Sequence, residues 1–126
     1  MNRRIFLLGS ACTLGATLVT AAQAQTRRGP NGGLIAGSDG HEVELVANGN
    51  NVRLYFINHG KVSPPKNGSS ARMVIQEGQA TRTANLAING DALITTLSAP
   101  LAPGARVVVT GTLPDGHTIQ ARYVMP

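Results

Sequence analysis

The sequence predicts an all-β protein, a small antiparallel β-sandwich of immunoglobulin-like type with about seven to eight short strands. Two observations support this prediction. Apolar and polar residues alternate with a period of two in short runs along the chain, as expected for strands that bury one face in a core. Turn-forming residues separate these runs, and the chain contains 15 Gly and 7 Pro. A small β-barrel is the alternative architecture.

The first residues of the chain have the pattern of a secretory signal peptide. Arg3 and Arg4 precede an apolar stretch from Ile5 to Val19, and Ala22-Gln23-Ala24 forms a small-x-small cleavage site. The start N-R-R-I-F-L-L resembles the twin-arginine export motif, although an ordinary export signal fits the same residues. We therefore expect a periplasmic protein with no stable membrane span after signal removal. The predicted division is a signal peptide at 1–24, a flexible lead-in at 25–33 and a β-sandwich domain at 34–126.

Composition narrows the chemistry open to the mature chain. Cys12 is the sole cysteine and lies in the signal, so cleavage excludes a disulfide, a thiolate metal site and a cysteine nucleophile from the mature chain. The alternative to cleavage at Ala24 is lipidation of Cys12. Without Arg3 and Arg4, nine Lys and Arg stand against six Asp and Glu, a formal charge of +3. These cations are dispersed and aromatic residues are few, which argues against nucleic-acid binding. No G-x-S-x-G elbow or phosphate-binding glycine loop is present, so we predict a protein that is not an enzyme.

A β-hairpin from His41 to Asn58 is the strongest element that the sequence predicts. On its first arm His41 shares the apolar inner face, while Glu42 and Glu44 are expected on an acidic outer face. The Asn/Gly-rich segment Asn48–Asn51 makes the reversal. The second arm is apolar on both faces, which predicts an inner strand. The residues predicted for the core of the hairpin are Val43, Leu45, Leu54 and Phe56.

Segments rich in glycine and proline flank this hairpin. Thr26–Gly33 is predicted to lack regular structure, and Asn58–Ser70 is predicted to be a loop, because both are dense in turn residues. The other predicted strands are Leu34–Ala36, Ala71–Gln76, Ala80–Ile88, Ala92–Leu97, Arg106–Leu113 and His117–Val124.

The three histidines are the candidate metal ligands. Imidazole suits copper, zinc, nickel and cobalt ions. His41, His59 and His117 all lie at predicted strand ends or loops, and strand ends on one side of a sandwich gather in space. The spacings H-x-H and H-x₃-H are absent, so three unrelated surface histidines are the alternative. The sequence D-G-H occurs at 39–41 and again at 115–117, which indicates repeated turn chemistry rather than a duplicated ligand set.

Four short motifs stand out in the chain: G-P-N-G-G at 29–33, D-G-H-E-V-E-L-V at 39–46, R-L-Y at 53–55 and L-P-D-G-H-T-I-Q-A-R-Y at 113–123. In this combination the chain resembles a group of small exported proteins that accompany heavy-metal efflux systems and are similar to N-terminal segments of their periplasmic adaptor subunits. In that group the lead-in usually reads G-P-H-G-G, and the resemblance implies that its histidine and the one before V-E-L-V contact the metal. Here these positions are Asn31 and His41. The amide is the weaker ligand, so the resemblance implies a weakened or lost metal site.

Together these observations predict a non-catalytic periplasmic accessory protein in transition-metal homeostasis or efflux. It would bind a metal ion weakly or bind an efflux component. The alternative is a protein-interaction module of the cell envelope with no metal role. The predicted metal ligands are His41 first, then His117, His59 and Asn31, and the candidate ions are copper, zinc, nickel and cobalt.

Overall fold

A computed structural model describes residues 27–38, 40–114 and 116–126, apart from the side chain of Ser38. The predicted signal peptide and Cys12 lie outside these residues. Within them every regular element is a β-strand, so the all-β prediction is confirmed, and no described helix is long and apolar enough to cross a membrane. The strands are β1 (Arg27–Arg28), β2 (Leu34–Ser38), β3 (His41–Asn48), β4 (Asn51–Asn58), β5 (Lys61–Ser63), β6 (Ser70–Glu77), β7 (Ala80–Asn89), β8 (Ala92–Thr96), β9 (Arg106–Thr112) and β10 (Thr118–Val124).

All pairings are antiparallel and join the strands in one path. Its order is β1-β2-β3-β4-β8-β7-β6-β9-β10, and β5 pairs with β4 beside β8. The long strand β7 serves both halves of this path, because Ala80–Leu86 pairs with β6 and Ala87–Asn89 pairs with β8. The sheet curls so that β10 packs back on β2 and β3. The Tyr123 hydroxyl in β10 donates a hydrogen bond to the Val43 carbonyl in β3, and this contact ties the two ends of the curl together.

Two strands occur where the sequence predicted none. Strand β1 lies in the lead-in and pairs with β2, and strand β5 lies in the predicted loop and pairs with the end of β4. The two-residue turn His59-Gly60 makes the second pairing, because both residues have positive φ, 49° and 84°, as a type I′ hairpin turn requires. The glycine and proline signals therefore marked tight turns rather than long irregular segments.

The predicted central hairpin is confirmed, and its register builds the core. Val43 faces Phe56 and Leu45 faces Leu54 across β3 and β4, and all four side chains are buried. Strand β4 lies between β3 on one side and β8 with β5 on the other, as its two apolar faces predicted. The main core lines the inner face of the curl. Its fully buried members include Val43, Leu45, Val52, Leu54, Met73, Ile75, Leu93, Val107 and Val109.

The outer face of the hairpin differs from the expected acidic, solvent-exposed surface. Glu44 has 0% exposure, so its predicted position in solvent was wrong. The turn at 29–33 folds over this face and covers the carboxylate. Beside it a small apolar cluster, also outside the main core, packs on the same face of β4 and β8. That cluster consists of Tyr55, Ile57 and Ala92, with Val46, Val62 and Ile94 packed against them.

The crossover between β8 and β9 is held by one ion pair. Arg82 donates from Nε to Oε1 of Glu77 at 3.0 Å and from Nη1 to the Ala99 carbonyl at 3.0 Å. The Ala102 N–H donates to Oε2 of Glu77 at 2.9 Å. These hydrogen bonds, first that of Ala102 and then those of Arg82, hold the pKa of Glu77 below its ordinary value of 4.5.

Candidate metal site and adjoining cleft

Two of the three histidines meet at one end of the curled sheet. His41 begins β3 and is paired in register with Asn58, the last residue of β4, and His59 follows directly. The two rings have centroids 6.2 Å apart and planes tilted by 52°. Both residues are exposed. The hairpin register therefore produces the proximity, because it brings the start of β3 and the end of β4 side by side.

The backbone around His59 fixes the position of this second ring. The His59 N–H donates to the Gly40 carbonyl at 2.9 Å, and the imidazole lies directly over Gly40. A Cβ at Gly40 would be 2.7 Å from Cε1 of His59, and Gly40 itself has φ of 78°. Only glycine meets both requirements without strain. The D-G-H sequence at 39–41 thus contributes both a histidine and the surface on which the other one packs; Asp39 itself lies outside the described residues.

The pair is close to the spacing of a two-imidazole metal site. A transition-metal ion binds a ring nitrogen at about 2.0 Å, which places it about 3 Å from the ring centroid, so two rings in a tetrahedral shell have centroids about 5 Å apart. The observed separation of 6.2 Å is longer, so the His41 side chain would have to rotate toward His59, whose ring packs on Gly40, before one ion could bind both rings. In the described parts of the chain no group of three or more His, Cys, Asp or Glu could hold a metal ion. A site at this pair would have the two histidines as protein ligands, and water or an external ligand would complete its coordination shell.

The other two predicted ligands lie elsewhere. His117 is exposed in the turn between β9 and β10, where its backbone carbonyl accepts a hydrogen bond of 2.8 Å from the Leu113 N–H. Asn31 belongs to the outer face of the sheet, where it lines a concavity together with Arg53 and Tyr55. Neither residue is part of the ring pair formed by His41 and His59. The structure therefore brings together one pair from the predicted set of four.

Asn31 has a clear local role, which is to bind the buried carboxylate of Glu44. Its Nδ2 donates to Oε1 at 2.9 Å and its backbone N–H donates to Oε2 at 2.9 Å. The Gly33 N–H adds a third hydrogen bond to Oε2, at 2.7 Å. A Cβ at Gly29 would lie 2.4 Å from Cδ of Glu44, so the turn needs a glycine at this close approach. Motifs 29–33 and 39–46 are therefore two halves of one structural unit, in which a carboxylate anchors the turn.

The buried carboxylate also acts on Tyr123. Burial of the phenol, and then the negative charge of Glu44, raise the pKa of Tyr123 far above its ordinary value of 10.0. The hydroxyl therefore keeps its proton and remains the donor to the Val43 carbonyl. The unit formed by Glu44 and the 29–33 turn is thus coupled to the contact that ties β10 to β3.

A cleft of about 260 Å³ opens beside His41. It lies between the segment that follows β5 and the turn that joins β9 to β10. Sequence reasoning did not find it, because its two walls are about fifty residues apart in the chain and only the curl of the sheet brings them together. The P-P-K-N-G-S run after β5 predicted a turn in one wall of the cleft, but it gave no signal of which segment lies opposite. The lining residues are His41, Phe56, Ile57, Asn58, Ser63, Pro64, Pro65, Lys66, Ser69, Leu113, Pro114 and Ile119.

The cleft contains one unusual polar group. Ser69 is 8% exposed, and its Oγ is buried without a hydrogen-bond partner among the described residues. Buried hydroxyls are normally paired, because an unpaired one retains most of its desolvation cost.

The chain matches no model of a known protein family, no curated protein and no solved structure.

Proposed function

We propose that this protein is a non-catalytic periplasmic accessory protein in transition-metal homeostasis or efflux, and that it binds a divalent transition-metal ion weakly through His41 and His59. The observation that supports this proposal is the 6.2 Å separation of the two rings. Neutral imidazole binds copper, zinc, nickel and cobalt. Two protein ligands leave coordination positions open, as a carrier that must release or hand over its ion requires.

Calorimetric titration of the purified protein with Cu²⁺, Zn²⁺ and Ni²⁺ tests this proposal. We expect one weak site per chain, whose binding heat disappears in His41→Ala and in His59→Ala. The matched control is His117→Ala, which removes an exposed histidine outside the pair and should leave the isotherm unchanged. Equal heats in the wild type and in both pair variants would refute the two-histidine site. A loss that appears only in His117→Ala would move the site to the β9–β10 turn.

A second candidate function is that of an envelope protein-interaction module without a metal role. It is favoured by the edge of β7, since Ala80–Leu86 pairs with β6 on one side and has no strand on its other side in the described chain. An open strand edge can bind an extended segment of a partner through backbone hydrogen bonds. An efflux component is the partner that the metal proposal implies. Partner capture that survives both a chelator and the triple His→Ala variant would favour the module over the metal carrier.

We also infer that the curled sheet is a distorted immunoglobulin-like sandwich. In this interpretation β2, β3, β4 and β8 form one layer, β6, β9 and β10 form the other, and β7 passes from the second layer into the first. The split pairing of β7 and the packing of β10 on β2 and β3 support it. Export to the periplasm through the signal at 1–24 is part of the same proposal. Cell fractionation with Arg3→Lys/Arg4→Lys tests the twin-arginine route, which that double change should block.

A further inference from the structure

The cleft beside His41 is built from rigid parts. Pro64, Pro65 and Pro114 restrict the backbone of both walls. The Ser69 N–H donates to the Lys66 carbonyl at 2.9 Å, which closes a tight turn in the first wall. This turn lies beside the second wall, since a Cβ added at Gly68 would be 3.6 Å from Cβ of Pro114. A ligand would therefore find the cleft largely preformed, which lowers the entropic cost of binding.

The lining of the cleft is divided between an apolar surface and a cationic edge. Phe56, Leu113 and Ile119 supply apolar contact area. Lys66 and His41 supply the ionisable groups, and no Asp or Glu occurs among the described lining residues. The Lys66 ammonium at the edge of this lining favours an anionic ligand group.

The Ser69 hydroxyl points to the same kind of ligand. Its Oγ is buried and has no hydrogen-bond partner among the described residues, and Ser69 lies three residues after Lys66 in the turn that lines the cleft. The Oγ is inaccessible in the observed rotamer, so contact with a ligand requires rotation about χ1 to another staggered rotamer, which leaves the backbone in place. A carboxylate oxygen accepts hydrogen bonds from both a hydroxyl and an ammonium group. One carboxylate could therefore pair with Lys66 and with Ser69 together.

We propose that this cleft binds a small monocarboxylate with an apolar body. The carboxylate pairs with the Lys66 ammonium and the Ser69 hydroxyl, and the apolar body packs against Phe56 and Ile119. A volume of about 260 Å³ holds one short acyl chain or one amino-acid residue, and not a large cofactor. Two sources share this chemistry: a free short-chain acid, and the C-terminal residue of a peptide. The inference does not require the metal proposal, although His41 borders both sites.

Titration of the ¹⁵N-labelled protein, followed by amide chemical shifts in the presence of EDTA, tests the inference. The probes are hexanoate, N-acetyl-leucine and, as the uncharged control, hexanol. We expect saturable shifts at 66–69 and 113–119 with a dissociation constant on the order of 1 mM, and binding of hexanol at least about tenfold weaker. Shifts with hexanoate alone assign the site to free acids, and shifts with N-acetyl-leucine alone assign it to peptide C-termini. Absence of saturable shifts with both acids, or equal affinity for hexanol, would overturn the proposal.

Two variants locate the carboxylate. Lys66→Gln and Ser69→Ala should each weaken binding of the preferred acid by about three- to tenfold. The matched control is Lys61→Gln, which removes the same charge from an exposed position of β5 outside the cleft and should leave affinity unchanged. Thermal melts of all three variants report whether the fold is intact. Ser69→Ala removes a hydroxyl that has no hydrogen-bond partner among the described residues, so its Tm should not fall below that of the wild type. Equal weakening in Lys66→Gln and Lys61→Gln would show nonspecific charge attraction and overturn the site. Loss of metal binding in His41→Ala with unchanged acid binding would separate the two proposals.

Discussion

Replacement of Glu44 is expected to cost far more stability than replacement of its neighbour Glu42. Both carboxylates lie on the outer face of β3, and the alternation of apolar and polar residues predicts the same solvent exposure for both. Glu44 is fully buried and accepts three hydrogen bonds, two from Asn31 and one from Gly33. Glu42 forms an ion pair with Arg27, and the side chains of Arg27 and Glu42 are 55% and 19% exposed. The two variants therefore compare a fully buried carboxylate with a partly exposed one of the same charge.

The magnitude follows from the donors that each variant leaves unpaired. Glu44→Ala leaves the buried Gly33 N–H unpaired, at about 1–3 kcal/mol, and removes two part-buried hydrogen bonds from the exposed Asn31, at about 1 kcal/mol each, so we expect a loss of about 3–5 kcal/mol. Glu44→Gln keeps the shape, but one carboxylate oxygen becomes an NH₂ donor, so the Asn31 amide must turn over to accept from it. Neutral hydrogen bonds of about half the strength then replace the charge-assisted ones, a loss of about 1–2 kcal/mol. Glu42→Ala removes an ion pair whose arginine is largely exposed to solvent and should cost at most about 1 kcal/mol.

Thermal unfolding followed by circular dichroism measures these differences. For a domain of this size about 1 kcal/mol corresponds to about 4–8 °C in Tm, so Glu44→Ala should melt at least about 12 °C below the wild type. Hydrogen exchange at the Asn31 and Gly33 amides gives a local readout, since both should be protected in the wild type and exchange rapidly in Glu44→Ala. The reasoning fails if Glu44→Ala and Glu42→Ala melt within about 4 °C of each other, because burial would then carry no extra cost.

Three further outcomes are expected. Tyr123→Phe should lower the free energy of unfolding by about 1 kcal/mol at neutral pH, because the Val43 carbonyl loses its donor. The pKa of Tyr123 is raised in the folded state, so the wild type should lose stability as pH rises above 10.0, where the phenol of the unfolded chain ionises. Urea titrations should show that the free energy of unfolding falls less steeply with alkaline pH in Tyr123→Phe. The pKa of Glu77 is lowered in the folded state, so its contribution to folding stability is present above pH 4.5 and is lost as pH falls through the folded pKa. Glu77→Gln should therefore reduce the loss of stability at acid pH. An unchanged acid loss in this variant would contradict the ion-pair network. Gly40→Ala should both destabilise the protein by about 1–2 kcal/mol and weaken Zn²⁺ binding, because a Cβ at this position displaces the His59 ring. An unchanged calorimetric affinity for Zn²⁺ would show that His59 needs no support from Gly40.

Period-two alternation predicted most of the strands to within a few residues. The predicted strand Ala71–Gln76 is β6, Ser70–Glu77, and the Asn89-Gly90-Asp91 turn joins β7 to β8 as expected. Such patterns are local, because the pleat places alternate residues on opposite faces whatever packs above them. The two missed strands are short and lie in segments rich in glycine and proline. Strand β5 depends on the positive φ of His59, which the sequence signals only weakly.

The proximity of His41 and His59 was predictable in part. Register in a tight hairpin follows from its turn, so residues at the open end of the hairpin must be neighbours. The sequence named both residues as candidates but gave no reason to prefer this pair over one with His117. The two-residue turn at His59-Gly60 brings His59 and not His117 to His41, because it holds His59 at the end of β4 next to the start of β3.

The sequence by itself determined the strands, most of the turns and the inner face of the central hairpin, because these depend on alternation and on residues that accept positive φ. Tertiary structure alone decided what covers the outer face. Glu42 and Glu44 have the same parity, yet only Glu44 is buried, because the 29–33 turn folds over it and supplies three donors. The cleft beside His41 has the same origin. Its walls meet only when the sheet curls, and no local pattern encodes a contact between segments so far apart in the chain.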